Sequence, residues 1–195
     1  MADTDKVILT DVDGVLLNWE YAFDQWMQQH DYKRNNNKFV YNIMDRYDLT
    51  PKKSKELIRY FNESAAIGFL PPLRDAMYYV DLLHRKHGYV FHVITSLSLD
   101  PAAGQLRTNN LQKLFGETTF ERFVYLDTGA DKDEILAEYK NKGYVWIEDK
   151  PENAEAGVKQ GLNSILVEHG HNMNYKNPDV TIYKNWKEIY DAISC

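Results

Sequence analysis

Two aspartates separated by one residue, Asp11 and Asp13, end an apolar run and are followed at once by Gly14, in the stretch ILTDVDGVLLNW at residues 8–19. In extended chain, side chains at i and i+2 point the same way, so the two carboxylates stand near each other. Adjacent anions repel, and burying them uncompensated is costly. A divalent cation resolves the conflict. Hard oxygen donors with no histidine or cysteine beside them favour Mg²⁺, which takes carboxylates, waters and substrate phosphate. Three further stretches carry matching chemistry: Thr95 and Ser96 in VITS, Lys132 just after YLDTGAD, and Glu148 with Asp149 in WIEDKPEN. The acidic pair can supply another carboxylate, and Gly14 permits a tight turn directly after the first acids. These are the polar groups that a phosphoryl-transfer site requires. A lone strand-end aspartate is more often a turn or cap residue; the weight lies in the four stretches occurring together and in this order.

The elements that would position them follow from the apolar pattern. Short β-rich runs stand at 7–10, 89–95, 122–127, 144–149 and 164–169, with a weaker one at 180–183. Near-continuous apolar runs of this kind suit strands covered on both faces, as in parallel sheets. Between them lie helical patterns. In 73–88, Leu73, Met77, Val80 and Leu83 recur at helical spacing before a stop at Gly88, and further helices are expected at about 101–115, 132–141, 151–160 and 185–193. Strands alternating with helices indicate right-handed βαβ units in an open α/β sheet, a Rossmann-like parallel sheet with helices on both faces. Ligands in such sheets bind beyond the carboxyl ends of the strands, where all four stretches lie.

Residues 18–72 are too many for a one-helix crossover. They hold Trp19, Phe23, Trp26 and His30 at helical spacing, the polar linker RNNNK, and a second helical stretch, PKKSKELIRYFNESAAIG, ending before Pro71 and Pro72. This segment reads as a mainly helical insertion over the sheet edge. The expected organisation is therefore a core of 1–17 and 73–195 with a helical cap of 18–72.

Composition narrows the class. A chain of 195 residues that is 44% hydrophobic can bury a substantial core. Its net charge of −6, from 23 Lys+Arg against 29 Asp+Glu, leaves no broad basic surface for a long nucleic acid, although a local cationic site could still take a small anion. The one cysteine, Cys195, has no intrachain partner, and no run is long enough to span a bilayer. The expectation is a soluble cytoplasmic protein that engages neither membrane nor long nucleic acid.

In the order and spacing of DVDGV, VITSL, Lys132 and IEDKPEN, the sequence resembles the haloacid dehalogenase superfamily of hydrolases over roughly residues 6–170. The long segment after the first motif is similar to the family's cap inserted between first and second motifs (C1-type). The nearest pattern is that of 5'(3')-deoxyribonucleotidase-like phosphatases, which share the D-x-D-G-V-L start, an aromatic soon after it, a T-S second motif and an acidic pair followed by Lys/Arg-Pro.

What the resemblance implies is a Mg²⁺-dependent phosphomonoesterase working in two steps. Asp11 would attack phosphorus and form an aspartyl-phosphate. Asp13 would protonate the leaving alkoxide and then deprotonate the attacking water. Mg²⁺ would be held by Asp11, Asp149 and the Asp13 backbone carbonyl. Thr95, with backbone donors of Asp13, Gly14 or Ser96, would bind phosphoryl oxygens, and Lys132 would neutralise charge. The dehalogenase branch lacks the second aspartate, so Asp13 favours phosphate ester hydrolysis. The fourth motif reads Glu148-Asp149 where the nucleotidases show two aspartates, which places Glu148 behind the metal ligands, together with Asn153.

The cap should select the leaving group, and the resemblance implies a nucleoside monophosphate. Trp19 stands where the deoxyribonucleotidases carry an aromatic that stacks on the base, with Phe23 as a second candidate; the same spacing equally fits cap core. Tyr21, Phe39, Tyr41 and Tyr47 are not sorted by the sequence. Lys52, Lys53 and Lys55 read as a solvated helix face, the His169/His171 pair as a loop feature without a third ligand, and His84 and His87 as helix C-terminal residues. The rival activities are a phosphatase for sugar phosphates or polynucleotide 3' ends and, with less to favour it, a phosphomutase; the rival of another class is a catalytically silent binding module.

Overall fold

Six strands build one parallel sheet: β1 (Val7–Thr10), β2 (Val90–Ser96), β3 (Phe120–Leu126), β4 (Val145–Glu148), β5 (Asn163–Val167) and β6 (Thr181–Tyr183), in the order β3-β2-β1-β4-β5-β6. The structure, a computed structural model, describes residues 6–35 and 42–194. Alternation along the strands divides the core. Ile8, Phe91, Ile147 and Ile165 face one layer, whereas Leu9, Ile94 and Trp146 face the other. Helices α4 (Ala76–His87), α5 (Pro101–Phe115) and α8 (Trp186–Ile193) cover the first layer through Val80, Leu83, Leu111, Trp186 and Ile189. The second layer is covered by α6 (Asp133–Ala137) and α7 (Pro151–Lys159) through Leu136, Ala154 and Ala156.

Between β1 and α4 the chain forms α1 (Trp19–Gln29), α2 (Ile43–Tyr47), α3 (Pro51–Asn62) and a 3-10 turn at Ala65–Phe69. Asn18 and Thr50 cap α1 and α3 by accepting from backbone N–H groups inside the first turn, and Pro51 takes the first helical position, where its missing N–H is no loss. The apolar face of this segment, with Phe23, Trp26, Met27, Tyr47, Leu57 and Phe61, is continuous with the sheet's first core layer. Phe39 and Tyr41 lie outside the described residues.

Several elements differ from the sequence pattern. α4 begins at Ala76, so Leu73 is buried ahead of the helix, and Met77 is 40% exposed instead of lying in the core. The helix expected over 132–141 stops at Ala137, and the chain turns through the left-handed residues Asn141 and Gly143 before β4. β3 starts at Phe120, two residues early, where Phe91 N–H bonds Thr119 O and the register shifts between Phe91 and His92. α2 arises in a stretch with no apolar periodicity: Asn42 caps its start and Asp48, at φ 52°, ends it.

The α7–β4–β5 contact is closed by a glycine. A methyl group on Gly157 would overlap the Trp146 ring and the Ser164 hydroxyl. Gly157→Ala is therefore expected to destabilise the fold by about 1–3 kcal/mol despite the better helix propensity of alanine. Urea unfolding followed by circular dichroism checks this; an unchanged or higher midpoint would mean that the layer relaxes freely.

Candidate active site

The sheet order reverses direction between β1 and β4, and the site opens beyond the carboxyl ends of these strands and β2, at that topological switch point. Asp11 follows β1 and is tied to β4 by its N–H on Ile147 O, at 2.9 Å. Glu148 ends β4, with Asp149 next; Thr95 and Ser96 end β2; Lys132 precedes α6. Asp11, Asp13, Gly14, Thr95, Ser96, Lys132, Asp149, Lys150 and Asn153 line one cleft of about 970 Å³. On the helical side the same cleft is lined by residues including Trp19, Glu20, Arg46, Lys55, Arg59 and Asn62.

The electrostatics centre on Lys132, which is buried. Its Nζ lies 2.9 Å from Asp11 Oδ1 and donates to Glu148 Oε2 at 2.6 Å, while the Trp146 ring backs it at 5.1 Å. Burial alone would lower the lysine's pKa, but the two carboxylates outweigh it and raise it. Burial would likewise raise Asp11; the Lys132 charge, hydrogen bonds from Lys132 and the Thr95 hydroxyl, and the Val12 N–H hold it below the usual range. Asp149 goes the other way. Burial, with the charges of Glu148 and Asp11, pushes it well above the usual carboxylate range, and its buried Oδ1 has no hydrogen-bond partner. Asp13 is raised by burial and by Asp11, against the opposing pull of Arg107.

Asp11, Glu148 and Asp149 offer oxygens within 4.8 Å of one another. Three carboxylates thus face one ammonium, in a buried setting where the uncompensated excess of negative charge is costly. Glu148 is already occupied, since Oε2 takes Lys132 and Oε1 accepts from the N–H groups of Asp149 and Lys150, each at 3.1 Å. The open oxygen is Asp149 Oδ1, while Asp11 shares its carboxylate with Lys132 and the Thr95 hydroxyl. Gly14, at φ +76°, approaches so closely that a Cβ there would lie 2.8 Å from Asp149 Cγ. The loop leaving β1 therefore needs glycine for both its conformation and its clearance from Asp149.

The remaining expected residues fall differently. Ser96 Oγ donates to Ala130 O at 2.8 Å, so in this structure its hydroxyl holds the Lys132 loop. Asn153 accepts from Trp146 Nε1 with its backbone oxygen at 3.0 Å, and its side chain borders the cleft. Trp19 borders the cleft and donates from Nε1 to Asn62 Oδ1 at 2.9 Å. Phe23 does not reach the cleft. It is fully buried, one turn along the same face of α1 as Trp19, stacked on that ring at 4.7 Å and enclosed by Tyr47 and Phe61, which it meets edge-on. Tyr47 is also buried and donates to Asp24, whereas Tyr21 is 55% exposed. Lys55 is the member of the lysine cluster that borders the cleft.

The sequence pattern missed several residues. His169 Nε2 lies 2.6 Å from Gly14 O, and His171 Nε2 lies 3.0 Å from Asp149 O, so the loop after β5 braces both acid-bearing loops. Asn172 Nδ2 also donates to Asp149 O, at 2.8 Å. Arg107, from α5, pairs with Asp13. The sequence marks His169 and His171 only as a loop pair; their contacts, and the roles of Asn172 and Arg107, become visible only when distant segments are brought together.

Residues 5–195 match the sequence profile of the 5' nucleotidase, deoxy (pyrimidine), cytosolic type C protein family. The chain is 28% identical over 143 residues to an uncharacterised 32.4 kDa protein of Enterobacteria phage T4, covering 69% of this chain and 50% of that protein, so it spans about half the length of that curated relative. Similar solved folds include a haloacid dehalogenase-like hydrolase of Streptococcus pneumoniae (TM-score 0.66, 13% identity, 97% of this chain and 99% of that one). They also include CbbY of Rhodobacter sphaeroides in complex with phosphate (TM-score 0.61, 16% identity, 94% and 96%). A third is the HAD-hydrolase YfnB of Bacillus subtilis bound to magnesium (TM-score 0.61, 13% identity, 97% and 99%). These likenesses place the fold in the haloacid dehalogenase group. Among the described residues no helix is long and apolar enough to cross a membrane.

The charge excess sets a test by thermal melting. A carboxyl whose folded pKa is raised stabilises the fold while it holds its proton, and that contribution is lost as pH rises through the folded value. Without divalent ions the protein should therefore lose stability as pH rises above the ordinary carboxylate range, owing to Asp149 together with the raised Glu148 and Asp13; Asp11, shifted downward, acts only below that range. Asp149→Asn should melt a few degrees above wild type at neutral pH in EDTA. Added Mg²⁺ should raise wild type and not the variant, with the wild-type shift growing over the same pH interval as the competing proton leaves. A variant that melts lower in EDTA would show the Asp149 charge to be compensated without an ion.

Proposed function

The chain belongs to the cytosolic type C family of deoxy (pyrimidine) 5' nucleotidases within the haloacid dehalogenase superfamily, and we propose that it is a phosphomonoesterase for nucleoside monophosphates working through an aspartyl-phosphate. The observation that carries this reading is the pairing of two differently tuned acids on one turn. Asp11 is kept ionised by Lys132, and Asp13, two residues on in the same cleft, is shifted toward holding a proton. Environments that push two carboxyls apart mark a nucleophile and an acid.

The donor set fits Mg²⁺: oxygen ligands only, one of them a buried carboxylate oxygen without a partner. Asp11 and Asp149, with the Asp13 backbone carbonyl, would hold the ion, which when bound supplies charge neutralisation between nucleophile and phosphate. The protein's own groups do the rest. Asp11 attacks phosphorus as the bond to the leaving oxygen breaks, and Asp13 gives that oxygen its proton. Water then attacks the aspartyl-phosphate, passing a proton to Asp13 and freeing Asp11. The Thr95 hydroxyl, which donates to Asp11 in this structure, would turn to a phosphoryl oxygen beside the Asp13 N–H, and Lys132 offsets the charge; the Gly14 N–H is taken by Leu17 O at 2.9 Å, so Gly14 serves the turn and not the phosphate. Glu148 keeps Lys132 and the Asp149 backbone in place.

Substrate selection belongs to the helical segment 18–72, read as a cap. Trp19 presents a flat ring on the cleft wall, held by Asn62, where a base could stack. The family match favours nucleotides over sugar phosphates.

Phosphate release from a panel of nucleoside and sugar monophosphates tests this reading. Wild type should release phosphate with Mg²⁺ and not in EDTA, and Asp11→Asn should lose essentially all turnover while still binding Mg²⁺ through Asp149. Trp19→Ala should raise KM for nucleotides by an amount worth on the order of 1–3 kcal/mol and leave KM for a small sugar phosphate nearly unchanged. A folded, Mg²⁺-binding protein that hydrolyses nothing in the panel would favour a binding module instead.

A further inference from the structure

Arg107 is wholly buried, yet it reaches a cleft residue from behind. α5 follows β2 closely, capped by Asp100 and begun by Pro101, so Arg107 lies in its second turn, beneath the loop that carries Asp13. Nη1 donates to Asp13 Oδ1 in a charged hydrogen bond, and Nη2 lies 3.4 Å from Oδ2. Nε finds no partner among the described residues. Tyr125, whose hydroxyl meets Thr108 at 2.7 Å, is close enough to sense the guanidinium's charge.

A buried guanidinium with an orphaned donor is a costly way to hold a helix to a sheet, since apolar residues of similar size often do so as well or better. What the contact does provide is direction. A planar fork on a carboxylate fixes its plane as well as its distance, which a point charge cannot do. Asp13 is 22% exposed on the cleft wall. Its backbone is already pinned by the bridge to Leu17 and by Gly14 N–H on Leu17 O at 2.9 Å, so the remaining freedom is the rotation of the carboxyl itself.

We infer that Arg107 is a positioning residue for proton transfer by Asp13: Nη1 anchors Oδ1 and leaves Oδ2, on the longer prong, to serve the leaving-group oxygen and then the attacking water. The inference rests on the phosphomonoesterase reading. In the first half-reaction the phosphorus–oxygen bond to the leaving group breaks while the Asp11–phosphorus bond forms, and the Asp13 proton goes to the departing oxygen. In the second, the water oxygen bonds to phosphorus as the Asp11–phosphorus bond breaks, and the water's proton returns to Asp13. A misdirected carboxyl impairs these transfers without weakening phosphate binding.

Two substrates that differ in their need for a proton separate this role from a structural one. A nucleoside 5'-monophosphate leaves as a basic alkoxide, whereas p-nitrophenyl phosphate leaves as a stabilised phenoxide. For Arg107→Met, kcat on the nucleotide should fall roughly 100-fold or more, with KM little changed. The loss on p-nitrophenyl phosphate should be several times smaller, and Arg107→Lys should recover part of the nucleotide rate. Adding Arg107→Met to Asp13→Asn should cost little further, because the group being positioned is already disabled. Equal losses on both substrates, or additive losses in the double variant, would overturn the inference in favour of a packing role. Should Arg107→Met fail to fold, the same substrate ratio read on Arg107→Lys and Arg107→Gln decides. Wild type inert on both substrates would instead overturn the phosphomonoesterase reading itself.

Discussion

The ammonium of Lys132 between Asp11 and Glu148 is the contact on which the rest of the site depends. It joins the loop before α6 to the ends of β1 and β4 at the buried floor of the cleft, where a charge without partners would be strongly disfavoured. Its effect is unequal by design of the surroundings. Asp11 receives the lysine and the Thr95 hydroxyl and is held low, while Asp149, one residue beyond Glu148 and not in contact with the ammonium, is driven toward its neutral form by burial and by its acidic neighbours. The remaining imbalance is a demand for a cation, and the oxygens left free by Glu148's hydrogen bonds are those best placed to meet it.

That arrangement is possible because of where the sheet changes direction. β1 lies between β2 and β4, so the loops leaving β1 and β4 diverge to make room for a ligand, and the loop leaving β2 closes the third side. Gly14 lets the first loop turn against Asp149 with no side chain between. The loop after β5 completes the wall from behind: His169 on Gly14 O and His171 with Asn172 on Asp149 O hold both acid-bearing loops by their backbones. Acids can then change protonation or ligand without the loops that carry them having to move.

The helical segment is joined to this site by packing as well as by connectivity. Its aromatic cluster continues into the sheet's first core layer. Asn62 ties Trp19 on one side to Leu97 O, just past the carboxyl end of β2, on the other. Farther out, Arg59 pairs with Asp127 across the cleft mouth, in solvent, where such a pair contributes only modestly and can be exchanged. The segment is thus held firmly beside the acid-bearing loops and loosely at the rim of the cleft.

By itself the sequence determined the alternating strand and helix order, the parallel sheet and the acids, hydroxyl and lysine at strand ends, because burial on both faces and strand-end chemistry leave local patterns. It also offered Phe23 as a second candidate behind Trp19, since spacing along a helix does not say which turn faces solvent; the packing of α1 on α3 put Phe23 in the core and Trp19 on the cleft wall. Met77 failed for the same reason, lying at the edge of the face that α4 buries. Only the tertiary structure decided that Glu148 serves Lys132 while Asp149 keeps an open oxygen, that the histidines after β5 brace the site, and that Arg107 stands behind Asp13. Each is a contact between segments far apart in the chain, including one of 94 residues between Asp13 and Arg107. Such contacts are set by strand order and helix packing, and no periodicity within a single segment records them.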